Sequence, residues 1–351
     1  MKTAAVTRLG DLRSTDPETR GLVEVIDLPA QELGPEDVRI RVAYAGICGS
    51  DPHVADGMFG SAVPIGLGHE ISGIVEELGP RATRNGLKIG DRVAGNFLRF
   101  CGTCAACRDG RQQFCSFAQE YNRPGMSETL VWHESQVYQL PDGVSLRKGA
   151  LLEPLAVAVR IVDKTRVRVG DRVLVSGGGP IGQFVLQLMA RYGATSLTMS
   201  EPIADRRAMA LRGGAQHVID PVSEDLGARV AELTDGRGYD IVIDASGSPR
   251  ATESLLSVAA RGGTVIYGAT YPVGYKLPLD LTENLFMREL TITGAYVAPY
   301  AFPRALQLLP LLDLDDFTQV VYSLDDAQEA FAVHMSGRHP KILIQPNDLG
   351  E

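Results

Sequence analysis

The sequence predicts an α/β fold in two domains, and three observations carry that expectation. Residues from about 156 to 295 alternate strand-like and helical runs around one glycine-rich turn. Residues 1 to about 155 read instead as short β-strands divided by Gly and Pro turns. The length, 351 residues, sits near two domains at roughly 150 residues each.

The elements follow in chain order. In the first region VRIRVAYAGI, ISGIVEELG, DRVAGNF and SETLVWHESQVYQLP are strand candidates, and short strands at such spacing suggest a barrel or sandwich. The middle region holds the strand-like runs RVLVSGG, SLTMSE, HVIDP, DIVIDASG, GTVIYGA and LTITGAY. Helical stretches such as IGQFVLQLMARYG and ADRRAMALRGG lie between them. That alternation predicts a doubly wound parallel sheet covered by helices. From about residue 296 to 351 the character is mixed again, and PKILIQP is expected to pair with the first region.

Composition narrows the function. Hydrophobic residues make up 44% and charged residues 22%, ordinary globular usage that excludes bulk disorder. A net charge of -9 opposes binding to a phosphate backbone, so no nucleic-acid partner is expected. No apolar run reaches the roughly 18 residues of a spanning helix, and the N-terminal stretch lacks an apolar signal core. A soluble, cytoplasmic protein with no membrane partner is expected.

RVLVSGGGPIGQFVLQLMARYGA sets Gly177, Gly179 and Gly182 in a GxGxxG frame, with Pro180 and Ile181 inside it. A β-branched strand precedes and an apolar-periodic helix follows, the context this motif requires. Such glycines permit a tight turn, close approach of a pyrophosphate, and tight helix packing at a helix N-terminus. Glu201 ends the next strand, where a carboxylate can bind both ribose hydroxyls of NAD and repel the 2′-phosphate of NADP. Arg206 and Arg207 stand nearby and keep NADP in view.

Five cysteines are present, four of them as Cys101-x2-Cys104-x2-Cys107-x7-Cys115. An odd, crowded set is unlike a disulfide framework. Four thiolates at this spacing can wrap one tetrahedral zinc with no open position, hence a structural ion holding the lobe from 100 to 117. Cys48, in GICGSDPH, is left over. His69 and Glu70 follow in GLGHEISG, and Glu153 is the only charge in the apolar run around GALLEPLAVAV. A buried carboxylate demands a partner. A Cys, a His and two Glu can supply three ligands and one exchangeable position, the pattern of a catalytic zinc.

Taken together, CGSDPH, GHE, the four-Cys knuckle, LLEPLAVA, GGGPIG, VIDASG and NLFMRELTITG, in that order, resemble the zinc-dependent medium-chain dehydrogenase/reductase family, nearest its polyol (sorbitol-type) and threonine dehydrogenase branch. The resemblance implies a GroES-like β-rich catalytic domain built from residues 1–155 and 296–351, with a Rossmann domain over 156–295. It implies two Zn2+ per chain, NAD(H), and a homodimer or homotetramer. Carried over by position, Cys48, His69 and Glu153 look like the catalytic zinc ligands, while Glu70 binds directly, through water, or in exchange with substrate. Ser50 and His53 fall where the family keeps its proton relay. Val54 and Val297 depart from the sorbitol-type pattern and make the pocket more apolar. Phe97, Tyr121 and Tyr296 are candidates for its wall.

The expected reaction is interconversion of a secondary alcohol, of polyol, cyclitol or amino-polyol type, and its ketone. Hydride passes to NAD and the proton leaves through Ser50 and His53. Two alternatives stand beside it: an acyclic diol or threonine-type dehydrogenase, and a non-enzymatic dinucleotide-binding relative. Two zinc per chain favours an enzyme, one the bland relative.

Overall fold

The computed structural model describes residues 1–58, 60–118 and 123–350. It divides into two compact units, Met1–Ala156 with Pro299–Glu351, and Val157–Ala298.

The first unit is β-rich. Strands β1 (Lys2–Arg8), β2 (Leu22–Asp27), β3 (Asp37–Gly46), β4 (Ile65–Gly66), β5 (Glu70–Leu78), β6 (Arg92–Gly95), β7 (Thr129–His133) and β8 (Val137–Gln139) come from its first segment. Its helices there are α1 (Asp51–Ala55), α2 (Ala105–Arg108), α3 (Leu146–Gly149) and the start of α4 (Leu152–Thr165). β2-β1-β4 form one small sheet. In β3 the pattern changes along the strand. Val38 and Ile40 are buried and Arg41 exposed, then Val42 to Gly46 are all buried. Half-buried alternation thus gives way to a strand end sealed on both faces. The core gathers Ile40, Ile47, Met126, Leu130, Trp132 and Phe331.

The second unit holds β9 (Arg172–Ser176), α5 (Pro180–Tyr192), β10 (Ser196–Ser200), α6 (Ala204–Arg212), β11 (His217–Ile219), α7 (Leu226–Thr234), β12 (Tyr239–Asp244), α8 (Pro249–Val258), β13 (Ala259–Tyr267) and β14 (Thr291–Gly294). Its six strands lie in the order β11-β10-β9-β12-β13-β14, and every pairing is parallel. This is the Rossmann arrangement, whose strand order reverses between β9 and β12. Val173, Leu174 and Val175 of the central strand are wholly buried, as a strand covered on both faces requires. The unit continues past β14, where Ala295 N donates to Tyr267 O at 3.3 Å.

The chain then returns to the first unit with α9 (Phe302–Leu308), β15 (Val321–Ser323), α10 (Ala327–Met335) and β16 (Leu343–Gln345). β16, the expected PKILIQP strand, pairs antiparallel with the end of β3, Leu343 opposite Gly46. This completes the sheet β15-β16-β3-β5-β6-β8, with β7 also on β3. Among the described residues no helix is long and apolar enough to cross a membrane.

Candidate functional site

Strand register brings the first group together. β3 and β5 are antiparallel with Gly46 opposite Glu70, so Cys48, two residues past β3, meets His69, one residue before β5. The ligand atoms of Cys48, His69 and Glu70 all lie within 4.8 Å of one another. A thiolate, an imidazole and a carboxylate at that spacing are a donor set suited to zinc. Gly46 leaves room for these side chains, since a Cβ on it would meet Glu70 Oε2 and Lys341 Cε.

Asp51, which the sequence reading did not single out, orders the turn. It is buried. Its Oδ2 accepts from Cys48 N at 2.9 Å, and its Oδ1 faces His69 Nδ1 at 3.5 Å. With Nδ1 engaged in this way, Nε2 would be the nitrogen left for a metal, the usual support for a ligand histidine. Burial resists charging of His69, but the charges of Cys48 and Asp51 more than offset it and hold its pKa well above the ordinary value. Phe97 lies against the same ring, centroids 4.9 Å apart at 49°.

Lys341 was likewise missed. Its ammonium pairs with Glu70 Oε2, and both side chains are almost fully buried. It also donates to Ile47 O at 2.9 Å. Burial works against its charge, yet Glu70 and Cys48 outweigh it and raise its pKa. Of the two carboxylates named from the sequence, Glu70 stands in the group of three. Register places it there, since Glu70 opens β5 directly opposite Gly46. Glu153 sits in the first turn of α4. Burial pushes its carboxyl up to about 7, with His69 and Lys341 opposing and Glu70 and Asp51 adding to the shift.

Ser50 precedes α1 and its hydroxyl makes no cap hydrogen bond. His53 lies within α1, its Nδ1 3.1 Å from Asp56 Oδ2. Val54 and Phe97 are partly buried against the first core. Tyr296 and Val297 belong to the second unit; Tyr296 is exposed and Val297 has a left-handed backbone, φ 44°. Tyr121 lies outside the described residues.

Cys101, Cys104, Cys107 and Cys115 form the second group, again within 4.8 Å of one another. Cys101 Sγ accepts from Thr103 N at 3.4 Å and Cys104 N at 3.3 Å. The Thr103 hydroxyl, with these amides, lowers the Cys101 thiol to about 6, whereas burial pushes Cys107 up to about 12. Four sulfurs converging in one short lobe fit a closed four-sulfur metal centre. Phe114 and Phe117 of this lobe are exposed, so little apolar core holds it together.

In the second unit the glycine loop joins β9 to α5. Gly177 has φ 95°, and a Cβ there would stand 2.7 Å from Ser246 Cα. A Cβ on Gly182 would lie 1.8 Å from Gly177 O, while one on Gly179 would meet nothing within 4 Å. Two glycines therefore serve packing, and the third leaves open space at the helix N-terminus, as a pyrophosphate requires. Pro180 and Ile181 make the first turn of α5. Glu201 is buried and accepts from Gly178 N at 2.6 Å and Ile203 N at 2.9 Å. Its carboxylate thus ties the loop to the end of β10. Arg207 is committed to the Glu201 and Pro202 carbonyls at 2.7 and 2.8 Å and to Asp220 at 3.3 Å. Arg206 is half-buried in α6, with its backbone oxygen accepting from Gln183 Nε2 at 2.8 Å.

Comparison with known proteins agrees with this geometry. Residues 34–142 match the alcohol dehydrogenase GroES-like domain, and residues 180–310 the zinc-binding dehydrogenase family. The chain is similar to a D-arabitol-phosphate dehydrogenase of Enterococcus avium, 33% identical over 92% of this chain and 93% of the relative. It is also similar to a 2-dehydro-3-deoxy-L-galactonate 5-dehydrogenase of Pseudoalteromonas atlantica, 35% identical over 89% and 92%. Among solved structures it resembles a proposed zinc-binding dehydrogenase of Clostridium scindens. That likeness has a TM-score of 0.91 and 31% identity over 99% of this chain and 100% of the other.

Proposed function

From the premise that this chain belongs to the zinc-dependent medium-chain dehydrogenase/reductase family, we propose that it interconverts a secondary alcohol of polyol type and its ketone with NAD(H). The carrying observation is the convergence of Cys48, His69 and Glu70 within 4.8 Å. These three hold the catalytic zinc, and the four clustered cysteines hold a structural one. Gly177, Gly179 and Gly182, with Pro180, Ile181, Glu201 and Arg206 around them, hold the dinucleotide.

Zinc supplies a Lewis acid that makes a bound hydroxyl acidic, and the nicotinamide supplies the hydride acceptor. The remaining work belongs to the chain. Asp51 fixes the His69 ring and the Cys48 turn, so the donor set is preorganised. Lys341 balances the Glu70 charge. The hydroxyl proton leaves through Ser50 Oγ and the His53 ring, whose Nδ1 is steadied by Asp56. Phe97 shields one side of His69 from water, and Val54 adds apolar surface. The balance is alcohol plus NAD+ giving ketone, NADH and one proton.

The second unit supports association of identical chains. Among the described residues β14 pairs only with β13, leaving an open sheet edge. Leu281, Leu285, Phe286 and Met287 are exposed on the π-helical turn just before it. An unpaired edge beside an apolar patch is a surface that pairing of two copies covers.

The test is an NADH-absorbance screen of the zinc-loaded protein over polyols, polyol phosphates, sugar-acid derivatives, cyclitols, diols and threonine. Turnover of at least one secondary alcohol, abolished by Cys48→Ala, is expected. No turnover of any alcohol or ketone in the panel overturns the reading.

A further inference from the structure

Asp244, the last residue of β12, is fully buried, yet no residue of the proposed chemistry uses it. Its carboxylate is surrounded by four polar atoms from three residues. Oδ1 accepts from Ser246 N at 2.8 Å and from Ser246 Oγ at 2.7 Å. Oδ2 accepts from Tyr271 Oη at 2.8 Å and lies 2.9 Å from Thr252 Oγ1. These neutral polar groups satisfy the buried carboxylate without a cation. Burial and the adjacent Asp244 charge both keep the Tyr271 phenol protonated, so it stays a donor at every working pH.

The groups that Asp244 gathers belong to the loops at the carboxyl end of the parallel sheet. Ala245 N donates to Ser176 O at 2.8 Å, and Gly268 N to Asp244 O at 2.9 Å. Ser246 backs onto Gly177, where a Cβ would stand 2.7 Å from its Cα. Gly247 in turn lies so close to the segment after β13 that a Cβ would be 2.4 Å from Thr270 O. One carboxylate therefore ties the glycine loop's neighbour to the segment that carries Tyr271. It does so at the β9/β12 reversal, where open α/β sheets take their ligands. Being sealed from solvent, Asp244 cannot touch a ligand itself.

We propose that the Tyr271–Asp244 pair is a latch that sets the spacing of the loops around the dinucleotide, which makes Tyr271 a positioning residue for cofactor affinity. The inference rests on the reading of this unit as the dinucleotide-binding unit. Without the phenol, the segment after β13 loses its tie to the turn behind Gly177, and the cradle widens. The binding unit still folds, because its strands and helices keep their cores.

The experiment titrates NADH fluorescence against the full-length, zinc-loaded protein, with thermal melting alongside. Tyr271→Phe removes one oxygen and keeps the ring stacked on Tyr275 (centroids 6.2 Å apart, 25°). It should weaken NADH binding about tenfold, the scale of one lost hydrogen bond to a charged group, with the melting curve little changed. Tyr275→Phe is the control. Its hydroxyl reaches Pro249 O and Glu253 but not Asp244, so affinity should stay within about twofold. Equal NADH affinity for Tyr271→Phe and the parent overturns the latch. So does weakening seen only where the variant is already melting, or equal weakening in both variants. Failure of the parent itself to bind NADH or NADPH overturns the dinucleotide reading, and the latch with it.

Discussion

Lys341 and Glu70 form an ion pair in which both side chains are almost completely removed from water. Their attachment points are far apart in the chain, one just before β16 and the other opening β5. A pair so placed is costly to assemble and costlier to break. It lies beside Cys48 and His69, so it sets the charge against which a metal binds.

Lys341→Met should therefore leave a buried, uncompensated Glu70. In metal-free protein we expect a loss of about 3 kcal/mol, read by urea denaturation. Added zinc should recover much of it, because an ion at Cys48, His69 and Glu70 replaces the missing positive charge. Equal losses with and without zinc would show that Glu70 does not face the metal.

The glycines of the β9–α5 loop should separate packing from binding. Gly182→Ala drives a methyl into Gly177 O and should cost about 3 kcal/mol of stability. Gly179→Ala enters open space and should melt like the parent, yet bind NADH at least about tenfold more weakly, since the methyl occupies pyrophosphate space. Calorimetry and NADH titration of the two variants check this, and unimpaired NADH binding by Gly179→Ala would count against the loop as the phosphate site.

A pH effect should come from Arg172 and Asp240. Nε and Nη2 of Arg172 reach the two carboxylate oxygens at 3.0 and 3.2 Å, and Arg172 N adds a bond at 2.9 Å. Burial alone would raise the Asp240 carboxyl, but Arg172 reverses it and holds the group below its ordinary value. A depressed carboxyl stabilises the fold fully above about pH 4 and loses that contribution as pH falls through the folded-state value. Asp240→Asn should cost about 1 kcal/mol at neutral pH, a figure discounted for partial exposure. The difference from the parent should vanish in acid, and thermal melts from pH 7 down to pH 3 measure it.

Phe286 is 82% exposed on the turn that precedes β14. If two copies cover that surface, Phe286→Glu should shift the protein from dimer or tetramer to monomer in sedimentation velocity at micromolar concentration. A parent protein that is already monomeric there would remove the interface.

Much of this was legible in the residues. Apolar runs with β-branched side chains mark the buried parallel strands, and four thiols within one short lobe can converge without knowledge of the fold. Gly177, Gly179 and Gly182 announce themselves because only their spacing fits a strand–turn–helix. That Glu70 stands beside Cys48 and His69 was not legible. It depends on the β3–β5 register, which places Glu70 opposite Gly46, and no local pattern encodes that pairing. Asp51 reads in isolation as an ordinary residue of a helix's first turn. Lys341 reads as one cation before a strand, because its partner Ile47 is 294 positions away. Tyr271 and Asp244 escape for the same reason: their bond joins the end of β12 to the segment after β13.

The return of residues 299–351 to the first unit has a consequence during translation. Residues 157–298 leave the ribosome as a continuous block and can fold as soon as they emerge. The sheet around Cys48, His69 and Glu70 is incomplete then, since Lys341 and the strand that seals β3 have yet to be synthesised. Until they arrive, Cys48, His69 and Glu70 belong to a nascent sheet with an open flank.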